Sequence, residues 1–283
     1  MADPRDFVID QNWQGYSAAE HAVWRTLYRR QAALLPGRVV PAFLEGMERL
    51  SVAADGIPDF RRLNETLRSI TGWEVVAVPG LIPDDAFFRL LADRKFPSGN
   101  FIRKPDELDY LEEPDVFHDV FGHVPLLTNP VFADFMQAYG EAGLKAEGGG
   151  VLSRLARLYW YTVEFGLFQT ADGIRIYGAG IVSSRSETVF ALESNSPNRI
   201  RLDRDRVLRT NYRIDDFQET YFVIDRFEDL FETLGHDLEV ALRRAARLSD
   251  YTPSDVLASD DVLFRGSGAY AAGKRAAAKE AAA

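Results

Sequence analysis

The sequence predicts a predominantly helical α+β fold in one domain, and three observations lead there. Apolar residues recur at helical spacing through most of the chain, strand-like stretches are few and short, and the two types do not alternate in the βαβ rhythm of a large parallel sheet. A chain of 283 residues can bury one large core, and no shift in composition divides it.

Ser17 and Glu20 form a capping-box pattern ahead of Val23, Trp24, Leu27 and Tyr28, so a helix is expected over about residues 18–34, stopped by Pro36 and Gly37. A second helix is expected over 42–52, and a third opens at Pro58 and closes near Gly72. Residues 73–78 alternate weakly and are rich in valine, which predicts a short strand running into an irregular loop, 79–85, able to face a ligand. Helical periodicity returns over 86–94, from Pro114 into a histidine-bearing segment, and over 130–146. Gly148, Gly149 and Gly150 then break the chain before a long helix expected over 152–169. Strands are expected at 174–177, 199–202 and 220–224, and a last long helix at 228–248. Residues 266–283 are alanine-rich and low in complexity, and are expected to be a disordered tail.

A net charge of −10 argues against a nucleic-acid or anionic-membrane partner, since both require clustered Lys and Arg. The most basic stretches, 25–30 and 199–209, are interrupted by apolar or acidic residues and read as solvated faces. There is no cysteine, which excludes disulfides, thiolate metal sites and cysteine nucleophiles. The N-terminus shows no signal-peptide pattern and no run of about 18 apolar residues occurs, so a cytoplasmic protein is expected.

The strongest chemical signal lies in residues 113–125. Two of the four histidines, His118 and His123, stand five apart there among Glu113, Asp115 and Asp119, which could ligate a metal or hold the imidazoles by hydrogen bonds. An α-helix turns about 100° per residue, so positions five apart point about 140° away from each other and cannot share a metal from an intact helix. Gly122 is expected to end the helix there and fold the chain back, with Pro125 preventing continuation. The His-Glu-x-x-His pattern of zinc proteases is absent. A third ligand should be a buried carboxylate, and Glu164 fits, since no other charge lies between Arg157 and Asp172. An ionised carboxylate on so apolar a segment needs a cation or strong donors. Nitrogen and oxygen ligands favour iron, manganese or zinc, and two His with one carboxylate is the set associated with non-haem Fe(II). Spacing alone leaves open a structural hydrogen-bonded cluster.

The stretch from Glu113 to Leu126, together with Tyr159 to Leu167, closely resembles the pterin-dependent aromatic amino acid hydroxylases. Supporting blocks are 78–82, 101–103 and 177–184 with Glu187, and the resemblance runs in order from the N-terminal helices to about Phe231. It implies a single catalytic domain over 1–265, with short strands around a non-haem iron site. It implies His118, His123 and Glu164 as iron ligands, and Arg103 as the group that binds the amino acid carboxylate, with Asp115 beside it. Pro114, Trp160, Phe165 and Gly180 match positions lining the substrate ring, and Ser183, Ser184 and Glu187 a polar layer behind it. Gly80, Leu81, Ile82, Phe87, Asp119, Ala156 and Tyr159 match the pterin pocket. The implied reaction uses Fe(II), a tetrahydropterin and O2 to hydroxylate an aromatic ring. Trp160 and Val223 favour L-phenylalanine as the substrate, with tryptophan or another aromatic amino acid as the alternative. Two departures from the family pattern are Leu111, where animal relatives carry a hydroxyl residue, and Asp119, which replaces a glutamate. No coiled-coil heptads follow the catalytic part, so a monomer is expected. The rivals are a zinc hydrolase, which needs a carboxylate base beside its metal, and a helical binding protein with merely buried histidines. Gly178-x-Gly180 lacks the third glycine and the helix of a nucleotide loop.

Overall fold

The computed structural model describes residues 4–109, 113–146 and 150–281. The capping box forms: Glu20 N–H donates to Ser17 Oγ at 3.2 Å and Ser17 N–H to Glu20 Oε2 at 2.7 Å, opening α1 (Ala18–Leu34). α2 (Pro41–Arg49) starts on a proline, and α3 (Phe60–Thr71) is capped by Asp59 and ended by Gly72 at φ 76°. β1 (Glu74–Val78) follows, then α4 (Asp84–Ala92) and β2 (Lys95–Gly99), which pairs with β1 in parallel. This βαβ unit escaped the sequence analysis, because Lys95-Phe96-Pro97-Ser98-Gly99 shows neither alternation nor a β-branched residue.

The histidine segment is a π-helix, Phe117–His123, continued by a 3-10 turn, Val124–Thr128, and by α5 (Pro130–Lys145). The next helix, α6 (Val151–Tyr159), passes directly into a second π-helix, Trp160–Glu164. The helix expected to reach residue 169 therefore stops at Glu164, and its last residues form β3 (Leu167–Thr170), antiparallel to β4 (Gly173–Ile176). Gly148 and Gly149, expected to break the chain, lie outside the described residues.

Two short helices, α7 (Ala179–Val182) and α8 (Arg185–Glu193), lead to β5 (Asn198–Arg201), α9 (Arg204–Val207) and β6 (Thr220–Ile224). The long helix expected over 228–248 is two, α10 (Asp229–Thr233) and α11 (Leu238–Ala246), with Gly235 between them. β7 (Val262–Phe264) completes a five-stranded mixed sheet of order β4-β3-β6-β5-β7, so no large parallel sheet forms. The chain is drawn into a further helix, α12 (Ala269–Ala281), where disorder was expected. Its anchor is Tyr270, whose ring packs on Phe190 and Phe217 at 5.2 and 5.1 Å.

Aromatic packing fixes the first π-helix. Phe117 and Phe121 stack at 4.7 Å and are wedged against Trp24 of α1 and Phe43 of α2, all four fully buried. The core thus holds one side of the π-helix and leaves His118 on the other. The basic stretch 199–209 is not a solvated face: Arg199 and Arg206 are buried. Arg199 donates to the carbonyls of Ala191 and Ser194, and Arg206 pairs with buried Asp260 at 3.2 Å. No described helix is long and apolar enough to cross a membrane.

Candidate metal centre

The i→i+5 hydrogen bonding of a π-helix adds nearly a residue to each turn, so residues five apart come to lie on one face. His118 and His123 meet this way, their Nε2 atoms 3.2 Å apart, without the chain reversal expected at Gly122. The second π-helix, with Phe165 N–H donating to Trp160 O at 2.8 Å, delivers Glu164 to the same point. Glu164 Oε1 lies 3.2 Å from His123 Nε2 and Oε2 lies 3.6 Å from His118 Nε2. Ligand atoms of the three residues all fall within 4.8 Å of one another, and they are the one such group of three among the described residues.

Protonation suits a cation. Ser183 Oγ donates to Ala179 O at 2.8 Å, so its single proton is committed and it must accept from His118 Nδ1–H at 2.9 Å. The lone pair of His118 is then on Nε2, facing His123 and Glu164. Burial lowers His118 to about 4, against the attraction of Glu164, which keeps the imidazole neutral near pH 7. Burial works against the charge on Glu164, but the two histidines outweigh it and its carboxyl is held below the usual range. His118 with its lone pair on Nε2, His123 and one carboxylate are a nitrogen and oxygen donor set fitted to iron. The nearby acids do not hold the imidazoles, as the sequence had allowed. Asp115 and Asp119 bind elsewhere, and His123 Nδ1 is buried with no hydrogen-bond partner among the described residues.

Backbone proximity explains the glycines. A Cβ on Gly178 would stand 2.4 Å from Glu164 O, one on Gly180 2.9 Å from the Phe165 ring, and one on Gly122 3.0 Å from Ala179 O. α7 therefore lies directly against both π-helices, which is the use of Gly178-x-Gly180.

His118 and Glu164 border a cavity of about 570 Å³ that Arg103, Pro114, Trp160, Phe165, Gly180, Ser183, Ser184 and Glu187 also line. Arg103 is nearly buried and grips Asp115, with Nε–Oδ2 2.9 Å and Nη2–Oδ1 2.8 Å. Asp115 also accepts from the N–H groups of Arg103 and His118, so it ties the carboxylate-binding candidate to the first π-helix. Burial opposes its charge, yet Arg103 holds its carboxyl below the usual range. Trp160 packs on Phe165 at 4.7 Å with the rings tilted by 32° and stacks on Tyr212 at 4.4 Å, and its indole N–H donates to Gln218 Oε1 at 3.0 Å. Ser184 caps α8 through Glu187 N–H. Burial pushes Glu187 up to about 7 even though it accepts from the Tyr221 hydroxyl and from Gln218 N–H. Sequence reasoning missed Tyr212, Gln218 and Tyr221, which lie outside its motifs. Val223 is buried within β6 and is not among the residues that line this cavity. Leu111 lies outside the described residues.

The remaining candidates are not among the residues that line this cavity. Tyr159 lies parallel to the His123 ring at 6.3 Å, and Phe87 meets Tyr159 edge-on at 5.8 Å. Asp119 accepts from Gly99 N–H at 2.8 Å, and burial raises it to about 7. Ala156 is one helical turn before Tyr159 on α6, and Gly80, Leu81 and Ile82 form the loop ahead of α4, with Leu81 exposed.

A family model described as biopterin-dependent aromatic amino acid hydroxylase matches residues 12–258. The chain belongs to this family. It is 60% identical over 266 residues to phenylalanine-4-hydroxylase of Caulobacter vibrioides, covering 94% of this chain and 90% of the relative. Against the corresponding protein of Ralstonia nicotianae it is 59% identical, over 92% of this chain and 83% of the relative. Among solved structures, Chromobacterium violaceum phenylalanine hydroxylase with iron(III) and 7,8-dihydrobiopterin superposes with a TM-score of 0.89 at 56% identity, covering 93% of this chain and 95% of that one. An iron- and phenylalanine-bound form of that enzyme gives 0.88 at 55% identity, over 92% and 95%. Family membership makes this a pterin-dependent enzyme, which ends both the zinc-hydrolase and the binding-protein readings.

Proposed function

We propose that this hydroxylase is a phenylalanine 4-monooxygenase, which forms L-tyrosine from L-phenylalanine and O2 with Fe(II) and a tetrahydropterin. The observation that carries the reading is the convergence of His118, His123 and Glu164 beside a cavity that also presents Arg103 and Trp160. High identity to relatives bearing that activity supports the choice of phenylalanine over tryptophan.

When bound, iron and tetrahydropterin supply the activation of O2. The protein's own residues hold and orient. His118, His123 and Glu164 bind the metal, with Ser183 fixing the tautomer of His118. Arg103, immobilised by Asp115, receives the amino acid carboxylate on its Nη1, which has no partner among the described residues. Pro114, Trp160 and Phe165 clasp the ring, Gly180 leaves it room, and Ser184 and Glu187 form a polar wall behind it. The pterin takes the opposite side of His123, between the loop of Gly80, Leu81 and Ile82 and the face formed by Phe87, Asp119, Ala156 and Tyr159. Enclosing the reacting groups keeps oxidant from water. Residues 1–265 act as one catalytic unit, and the enzyme works as a cytoplasmic monomer, for which sedimentation at the mass of one chain is the expected result.

The test is tyrosine formation by metal-stripped protein supplied with Fe(II), a tetrahydropterin and air, beside zinc-loaded and pterin-free controls. Tyrosine only with iron and pterin together is expected. Hydroxytryptophan as the main product, or none from iron-loaded protein, would defeat the assignment.

A further inference from the structure

The loop from Arg213 to Gln218 forms one wall of the substrate cavity, and its inner face does specific work. Gln218 accepts the Trp160 indole N–H at 3.0 Å and returns its amide to Arg213 O at 2.6 Å. The ring that would face the substrate is thus oriented by this loop. Its outer face is held by α12, which lies beyond the residues matched by the family.

Tyr270 makes that connection. Its hydroxyl donates to Asp216 Oδ1 at 2.7 Å, and its ring closes an aromatic group in which Phe217 stacks on Phe190 at 4.2 Å. Lys274 stands 3.7 Å from Asp216 Oδ2, and Arg275 3.3 Å from Glu219. The tyrosine is itself anchored, since its N–H donates to Ser196 Oγ at 3.0 Å while Gly268 N–H donates to Ser196 O at 3.0 Å. From Ala272 to Lys279 every residue of α12 is exposed, so its packing is concentrated where it touches the loop. Phe217 and Asp216 are the two residues before Gln218, whose amide also donates to Asp216 O at 3.4 Å, so a restraint on them is a restraint on the amide that holds Trp160.

We propose that Tyr270 is a positioning residue of the substrate cavity, acting through Asp216 and Phe217 on Gln218 and hence on Trp160. The proposal rests on the assignment of this cavity to the amino acid substrate. Fixing a ring before the substrate arrives lowers the ordering cost of binding, so the effect belongs in KM for the amino acid and not in the metal or pterin steps.

The experiment compares iron-loaded wild type with full-length Tyr270→Phe, which keeps the ring and loses the hydroxyl, and with Tyr270→Ala, which loses both. KM for phenylalanine is expected to rise about threefold in the first and about tenfold in the second, the range one or two lost contacts produce. KM for the pterin and kcat at saturating phenylalanine should stay within about twofold. Amide hydrogen exchange is measured alongside, with faster exchange expected across 213–218 and none across β6. Unchanged KM and exchange in both variants would overturn the proposal. So would parallel losses in kcat, pterin KM and melting temperature, which mark a purely structural role. Wild type that makes no tyrosine would defeat the substrate assignment instead, and the exchange measurement would still decide whether Tyr270 restrains the loop.

Discussion

Asp115→Asn tests the architecture at its most constrained point. The carboxylate is fully buried and accepts four hydrogen bonds, two on each oxygen: Oδ2 from the N–H and Nε of Arg103, and Oδ1 from Arg103 Nη2 and the N–H of His118. Asparagine has the same shape but one amide NH2, which in either orientation must face two N–H donors. Two hydrogen bonds are lost, and a guanidinium that is almost inaccessible to water loses its countercharge. Breaking a buried ion pair by removing one partner costs about 3–5 kcal/mol. For a chain of this size that corresponds to a fall in melting temperature of about 5–8 °C. Because Asp115 also sets the direction of Arg103, KM for phenylalanine should rise at least about tenfold, the worth of one charge-assisted contact. Urea unfolding of the wild type and variant, with steady-state kinetics on the same samples, reads both effects. A loss below about 1 kcal/mol with unchanged KM would refute the reasoning, since that is the scale of a solvated pair.

Three further outcomes are expected. Ser183→Ala removes the acceptor for His118 Nδ1–H and should weaken iron binding by about 10–100-fold, read by chelator competition; equal affinity would mean that the serine does not set the tautomer. Gly178→Ala puts a methyl 2.4 Å from Glu164 O and 2.5 Å from Gly166 N, both backbone atoms. It should cost about 1–3 kcal/mol in urea unfolding and displace Glu164 enough to leave the purified protein short of iron. Burial raises Glu187 from 4.5 to about 7, so its contribution is fully present below about pH 4.5 and is lost as pH rises through about 7. Wild type should therefore lose about 2–3 kcal/mol more stability between pH 4.5 and 8 than Glu187→Gln, and parallel profiles would sink the assignment.

Local chemistry was legible wherever a residue type has one backbone use. Ser17 with Glu20, and Gly72, marked helix ends that the structure reproduces, because caps are satisfied by neighbours in sequence. What failed depended on distant partners. β2 is a strand because β1 pairs with it, not because Lys95 to Gly99 prefer extended backbone. β3 was read as a helix end because Phe165 to Phe168 continue an apolar run that suits either element, and only pairing with β4 and β6 decides it. Tyr270 carried too little apolar signal to be seen as an anchor until Phe190 and Phe217 were brought beside it.

The site shows the same division. His118, His123 and Glu164 were legible as a donor set because buried imidazoles and a lone buried carboxylate have few other uses. The means of their convergence was not, since the argument allowed only an intact α-helix or a break at Gly122. A π-helix gives up regular α-helical hydrogen bonding to place residues five apart on one face, and here the loss is offset by Phe117 and Phe121 stacked in the core. The second π-helix sits at the end of α6, where Glu164 must turn back toward the histidines before β3 begins. Both irregular turns are backed by α7, which approaches them only because residues 122, 178 and 180 lack a side chain. The glycines that resembled a fragment of a nucleotide loop therefore belong to the metal centre: their spacing follows from which backbone atoms α7 must pass, and no ligand phosphate is needed to explain it.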